Sequence, residues 1–190
     1  MEAFLISTGI VALAEIGDKT QLLALVLAAR FRKPPPIIAG ILVATLANHA
    51  AAGAAGAWIA AQLGPVVLRW ILGLSFIAMG IWTLVPDSLH ADDVAREPRS
   101  RLGVFGTTLV SFFVLEMGDK TQIATVALAA RFDSLVAVVC GTTLGMMLAN
   151  VPAVLLGEVA ARKLPMQAVH RVAAAMFLVL GVTVLLRGSG

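Results

Sequence analysis

Two short segments of the chain carry acidic, basic and amide side chains in the same order. One reads EIGDKTQ from residue 15, and the other reads EMGDKTQ from residue 116. Each lies inside a long apolar stretch that favours a helix, and a glutamate and an aspartate three residues apart share one face of a helix. The sequence therefore predicts a metal site built from four carboxylates, those of Glu15, Asp18, Glu116 and Asp119.

The donor atoms in these segments indicate which ions could bind. Carboxylate, amide and carbonyl oxygens are hard ligands, which suit Mn²⁺, Ca²⁺ and Mg²⁺ better than Zn²⁺ or Cu⁺. Gly17 and Gly118 stand between the acids, where glycine lets a ligand or another helix approach, or lets the helix loosen and expose carbonyl oxygens. Further ligands or gating residues are expected among nearby polar side chains: Lys19, Thr20, Gln21, Lys120, Thr121, Gln122, Asn48 and Asn150.

A purely structural role for the charges is the alternative. The glutamate and lysine of each segment are four residues apart, in the favourable order for an ion pair within one helix. Such pairs would leave Asp18 and Asp119 unexplained, because no further basic residue is expected at that depth. We also expect His49, which has no counterpart in the other half, to be a satisfied or lumen-facing histidine and not a ligand. His170 is expected to lie in a solvated loop.

An internal repeat places the two segments in equivalent positions. The 17 residues from Glu15 and the 17 from Glu116 are identical at eleven positions, at a constant offset of 101 residues. Gly40 and Gly141 keep the same register further along the chain. The chain is therefore expected to consist of two copies of one unit.

The elements that carry these segments are predicted to be membrane-spanning helices. Of the 190 residues, 59% are hydrophobic and only 13% are charged, and a helix that crosses a bilayer needs about 20 mostly apolar residues. Six such stretches predict an all-α membrane protein: 3–29, 36–62, 65–86, 102–130, 134–160 and 166–187. The first repeat is expected at 1–86, a cytoplasmic connecting loop at 87–101, and the second repeat at 102–190.

Three crossings per repeat have a consequence for orientation. After an odd number of crossings the chain reaches the opposite side, so the second repeat is expected to insert upside down, as in many secondary transporters with a site near the bilayer midplane. A charge at that depth costs roughly 2.5–3.5 kcal/mol on insertion scales, so charged side chains there are typically functional.

Basic residues between the spans predict the topology. Nine lysines and arginines fall on one side and three on the other. Positive residues favour the cytoplasm, so both termini are expected on the extracytoplasmic side and the protein in the inner (plasma) membrane. The single cysteine excludes an internal disulfide and a multi-thiolate metal site. The basic residues form no patch that would indicate nucleic-acid binding.

The two E-x-G-D-K-T-Q segments resemble the signature of a known family, the Gdt-type cation/proton exchangers. That signature, E-x-G-D-[KR]-[TS], occurs twice in six-helix proteins of two repeats, and the resemblance extends over essentially the whole chain. It implies transport of Mn²⁺ or Ca²⁺ against protons, with Mn²⁺ export typical of bacterial members. It also implies that the four acids listed above bind the ion.

The sequence and the resemblance together predict a secondary transporter that exports Mn²⁺ in exchange for protons and is not an enzyme. A Ca²⁺/proton or Na⁺-coupled exchanger is the alternative, and an acid-dependent intramembrane enzyme or a non-transporting scaffold is less favoured. The expected partners are the divalent ion, protons and the lipid bilayer, with no cofactor beyond the transported ion. The sequence leaves the oligomeric state open.

Overall fold

The computed structural model describes residues 1–85, 102–156 and 166–187, apart from the side chains at 166 and 187. These residues form α-helices and short connections, with no strand among them. The predicted loop at 87–101 and the end of the predicted span at 134–160 lie outside the described residues. The helices are α1 Glu2–Glu15, α2 Lys19–Phe31, α3 Pro34–Gln62, α4 Pro65–Thr83, α5 Gly103–Glu116, α6 Lys120–Arg131, α7 Leu135–Leu156 and α8 Met166–Arg187.

Within the described ranges, four segments are long and apolar enough to cross a membrane. They lie in α3, α4, α7 and α8, and α5 is a shorter apolar helix. α3 and α4 both begin with proline, which suits the first turn of a helix because the amide that it lacks would have no partner there. The all-helical membrane class is therefore confirmed.

The prediction of continuous helices over 3–29 and 102–130 was wrong. α1 ends at Glu15 and α2 begins at Lys19, while α5 ends at Glu116 and α6 begins at Lys120. Each acid pair therefore flanks a break and does not share a helical face. The breaks follow from local chemistry, because glycine adopts positive φ without strain and aspartate is a good helix N-cap.

The two breaks have matching backbones. Gly17 has φ of 85° and Gly118 has φ of 77°. The glutamine four residues later turns its side chain back to each glycine: Oε1 accepts from the Gly17 N–H at 2.9 Å in the first break and from the Gly118 N–H at 2.7 Å in the second. The glutamine amides therefore hold the broken backbone, a role that the sequence analysis did not anticipate.

Packing between the helices exchanges partners between the repeats. α1 packs on α7 as α5 packs on α3, and α2 packs on α7 as α6 packs on α3. Gly40 adjoins Phe105 and Thr108, and its equivalent Gly141 adjoins Phe4 and Ser7, each displaced by 101 residues. Each copy thus packs these helices against the other copy through equivalent contacts.

The exchange is incomplete at α4 and α8. These two helices pack together, with α8 also against α1 and α4 also against α6. The exchange-related pairs, α5 with α4 and α2 with α8, are at most weakly in contact. The α4–α8 pair therefore packs more closely on α1 and α6 than on their equivalents, α5 and α2.

Candidate metal centre

The helix breaks bring the charged residues of both repeats to the same region. Lys19 Nζ lies 2.9 Å from Asp119 Oδ1, and Lys120 Nζ lies 2.8 Å from Asp18 Oδ1. Each lysine thus contacts the aspartate of the other repeat. The expectation that the aspartates would lack a basic partner was wrong, because inference within one helix could not see the second copy.

The two ion pairs differ in their access to water. The side chains of Lys120 and Asp18 are 4% and 0% exposed, whereas Lys19 is 24% exposed and Asp119 is 3% exposed. Backbone amides reinforce both breaks, since the N–H of Asp18 donates to the Glu15 carbonyl at 3.0 Å, with the equivalent bond at 3.1 Å in the second repeat. Each aspartate is the N-cap residue of the helix that follows it.

The two glutamates are fully buried and have different partners. Asn150 Nδ2 donates to Glu15 Oε1 at 3.5 Å. In the other repeat, His49 Nε2 lies 3.0 Å from Glu116 Oε1, within hydrogen-bond distance. The prediction that His49 lacks an equivalent was wrong, because an offset of 101 residues from position 49 leads to Asn150. His49 is the site residue that the sequence analysis missed, and this offset was the signal that could have found it.

A second pair of equivalent positions borders the glutamates. Thr45 Oγ1 donates to Glu116 Oε2 at 3.5 Å, so both oxygens of that carboxylate have a polar neighbour. The residue equivalent to Thr45 is Met146, whose Sδ accepts from Asn150 Nδ2 at 2.9 Å. Glu15 Oε2, by contrast, is buried and has no hydrogen-bond partner among the described residues.

The remaining predicted site residues divide into two groups. Thr20 and Thr121 adjoin the aspartates of their own segments: the Thr20 N–H donates to Asp18 Oδ2 at 3.3 Å, and Thr121 Oγ1 donates to Asp119 Oδ2 at 3.4 Å. Gln21 and Asn48 bond instead to backbone, with Gln21 Nε2 donating to the Ala149 carbonyl and Asn48 Nδ2 to the Phe113 carbonyl. Asn150 is the predicted asparagine that contacts an acid.

The four acids and the two lysines at the helix breaks, the charged cluster, do not form a closed metal cage. The two lysine–aspartate pairs bring the breaks together. Within the described part of the chain, however, no three His, Cys, Asp or Glu side chains lie close enough to hold one ion together. An ion at this site would need additional ligands from neutral groups or water, or a movement of the acids towards each other.

His170 lies beside the first break. The expectation of a solvated loop was wrong, because this residue lies in α8, is partly buried, and has Nε2 2.9 Å from the Ile16 carbonyl oxygen. Met117, the equivalent of Ile16 in the second break, is 60% exposed. The first break is therefore covered by α8, while the second remains accessible.

Comparison with known proteins identifies the group to which this arrangement belongs. The family model described as "Divalent cation/proton antiporter GDT1" matches residues 3–91 and 104–190, one match in each repeat. The chain belongs to this family of divalent cation/proton antiporters. The resemblance inferred from the two segments is thus confirmed, and the family is one of transporters.

A curated relative supports the same assignment. The antiporter is 51% identical over 181 residues to a Vibrio cholerae serotype O1 (strain ATCC 39541 / Classical Ogawa 395 / O395) protein named "Putative manganese exporter", a match that covers 95% of this chain and 88% of the relative. No solved structure matches the antiporter.

Proposed function

We propose that this antiporter exports Mn²⁺ from the cytoplasm in exchange for protons, across the inner membrane. Its family supports the exchange of a divalent cation for protons, and the name of the Vibrio cholerae relative favours manganese. The observation that carries the proposal is the set of four buried carboxylates at the two helix breaks, where the lysine of each repeat pairs with the aspartate of the other.

The proposed architecture has six crossings in two inverted repeats. α1 with α2 would form one crossing, and α5 with α6 another, each interrupted at its charged segment. The exchange of partners between repeats supports a two-fold relation, and three crossings in each repeat place that axis in the membrane plane. Residues 1–86 and 102–190 are then the inverted units, with 87–101 in the cytoplasm and both termini outside.

The charges of the cluster explain why metal and protons would exchange. The two lysines contact the two aspartates, which leaves Glu15 and Glu116 to carry a formal charge of −2. One divalent cation neutralises that charge, and two protons do the same. Because a bare pair of anions is costly to enclose in a low-dielectric interior, the carrier would cross loaded with one cargo or the other. Antiport then follows from a shared site.

Ca²⁺ is the alternative cargo, because the same carboxylate and amide oxygens accept it, and Na⁺ is the alternative coupling ion. Purified protein in liposomes distinguishes these cases. We expect uptake of Mn²⁺ driven by an imposed pH gradient to exceed uptake of Ca²⁺ and Mg²⁺, and to persist without Na⁺. Dominant Ca²⁺ transport, or dependence on Na⁺, would replace the proposal with the corresponding alternative.

Substitution of the acids tests whether the cluster is the ion site. Glu15→Gln, Asp18→Asn, Glu116→Gln and Asp119→Asn should each abolish or severely reduce transport, because each removes a charge without opening a cavity. Glu2→Gln is the matched control, since Glu2 begins the same helix as Glu15 but is exposed. Near-normal transport by two of the site variants would exclude the cluster as the site.

Metal binding should also depend on pH if protons share the site. We expect the affinity of detergent-solubilised protein for Mn²⁺ to fall as the pH falls, and metal addition to release protons into a weakly buffered solution. An affinity that stays constant from mildly acidic to alkaline pH, without proton release, would contradict the shared site.

A further inference from the structure

The two halves of the cluster offer different donor atoms to an ion. Around Glu116 the neighbours are a hydroxyl and an imidazole, from Thr45 and His49. At the equivalent positions around Glu15 they are a thioether and an amide, from Met146 and Asn150. In the half at Glu15, a thioether sulfur therefore lies beside the amide that contacts the acid, at the position where the other half has a hydroxyl.

Polar groups around Glu15 are not evenly satisfied. Asn150 Nδ2 has three acceptors around it: Glu15 Oε1 at 3.5 Å, the Met146 carbonyl at 3.1 Å and Met146 Sδ at 2.9 Å. An amide nitrogen has only two hydrogens to donate. Meanwhile Asn150 Oδ1 and Glu15 Oε2 are buried without a hydrogen-bond partner among the described residues. The surroundings of Glu15 and Asn150 therefore contain more hydrogen-bond acceptors than hydrogen-bond donors.

That imbalance is what a cation would correct. The acceptors that surround the amide nitrogen are a carboxylate oxygen, a carbonyl oxygen and a thioether sulfur. If the Asn150 amide turns over, Oδ1 joins them and the same position is surrounded by electron-pair donors alone. Glu116 needs no such correction, because both of its oxygens already have a polar neighbour.

From this arrangement we propose that Met146 is a specificity-determining residue, whose sulfur favours Mn²⁺ over Ca²⁺ and Mg²⁺ at the Glu15 half of the cluster. The inference rests on the proposed function. Ca²⁺ and Mg²⁺ are hard cations that take oxygen ligands, and Mg²⁺ loses water reluctantly. Mn²⁺ also prefers oxygen ligands, but it is less hard than Ca²⁺ and Mg²⁺, so replacing one oxygen with a thioether sulfur penalises the two harder ions more.

Binding measurements on purified protein test the sulfur directly. Met146→Leu keeps an apolar side chain of similar volume and removes the sulfur. By isothermal titration calorimetry, we expect this variant to bind Mn²⁺ several-fold more weakly and the softer probe Cd²⁺ at least about ten-fold more weakly, with Ca²⁺ affinity unchanged. Met146→Thr, which installs the residue found at the equivalent position, should lower the Mn²⁺/Ca²⁺ affinity ratio further by supplying an oxygen.

Met147→Leu is the matched control, because Met147 is the next residue of α7 and packs instead against the apolar core. It should leave all three affinities unchanged. Retained Ca²⁺ binding shows that a Met146 variant is folded. If wild-type protein binds Mn²⁺ but both Met146 variants keep its Mn²⁺/Ca²⁺ and Cd²⁺/Ca²⁺ ratios, the sulfur has no role and this inference is wrong. If wild-type protein binds none of these ions, it is the proposed function that fails.

Discussion

Loss of Lys120 should destabilise the protein more than loss of Lys19, although the two residues are equivalent in sequence. The Lys120–Asp18 pair lies where water has almost no access, whereas a quarter of the Lys19 side chain is exposed. Removing one partner of a buried ion pair typically costs about 3–5 kcal/mol, because the remaining charge is left without solvation. We therefore expect Lys120→Met to lower the free energy of unfolding by about that amount, and Lys19→Met to lower it by less.

Reversible unfolding in mixed detergent micelles, followed by tryptophan fluorescence, measures both costs. A second substitution then identifies the partner of Lys120. Adding Asp18→Asn to Lys120→Met should restore most of the lost stability, because it neutralises the carboxylate that has lost its lysine partner. Adding Asp119→Asn, the same change in the lysine's own repeat, should not.

Two outcomes would refute this reasoning. Equal costs for the two lysine variants would mean that burial does not set the strength of the pairs. Rescue by Asp119→Asn and not by Asp18→Asn would mean that each lysine pairs within its own repeat. The exchange of partners between the copies would then be incorrect.

Three further predictions concern topology and backbone. In a variant whose native cysteine is replaced by serine, a single cysteine at Ser88 should be protected from an impermeant thiol reagent applied to whole cells. A single cysteine at Ser189 should be labelled. The reverse pattern would mean that the orientation is opposite to the one proposed. Gly118→Ala should lower the free energy of unfolding by about 1–2 kcal/mol, because a residue with a side chain is strained at a φ of 77°. No atom lies near enough to clash with the added methyl group, so the backbone strain is the whole effect. An unchanged unfolding curve would argue against the helix break at this glycine. Gly56→Val should prevent the close packing of α3 on the Val126 carbonyl and so reduce the yield of folded protein. Gly64→Ala should leave that yield unchanged, because a Cβ there enters open space. Equal yields for the two variants would contradict the contact at Gly56.

Much of the site could be predicted because a repeat carries information that a single helix does not. The offset of 101 residues indicated that Glu15 and Glu116 occupy equivalent places, and their cost in a bilayer indicated a shared interior. The structure joins the two segments through the Lys19–Asp119 and Lys120–Asp18 pairs, while the binding of one ion by all four acids stays a prediction. The same offset leads from His49 to Asn150, so the sequence alone contains this equivalence.

The helix breaks were harder to predict. Apolar composition makes 3–29 and 102–130 resemble single spans, and composition does not report where a backbone bends. Glycine followed by aspartate is a common way to end one helix and begin another, but the same residues also occur inside helices. The pairing of Lys19 with Asp119 depends on how the copies face each other, which spacing along one helix cannot convey.

The exchanged ion pairs also bear on how such a chain could arise. Each repeat carries a lysine and an aspartate whose partners lie in the other repeat. Two separate, identical chains facing each other would close both bonds equally well, so an ancestral unit could have worked as a dimer before gene fusion. Identical chains could not, however, place methionine on one side and threonine on the other. The differences at 45 and 146, and at 49 and 150, became possible only once the two copies could mutate independently.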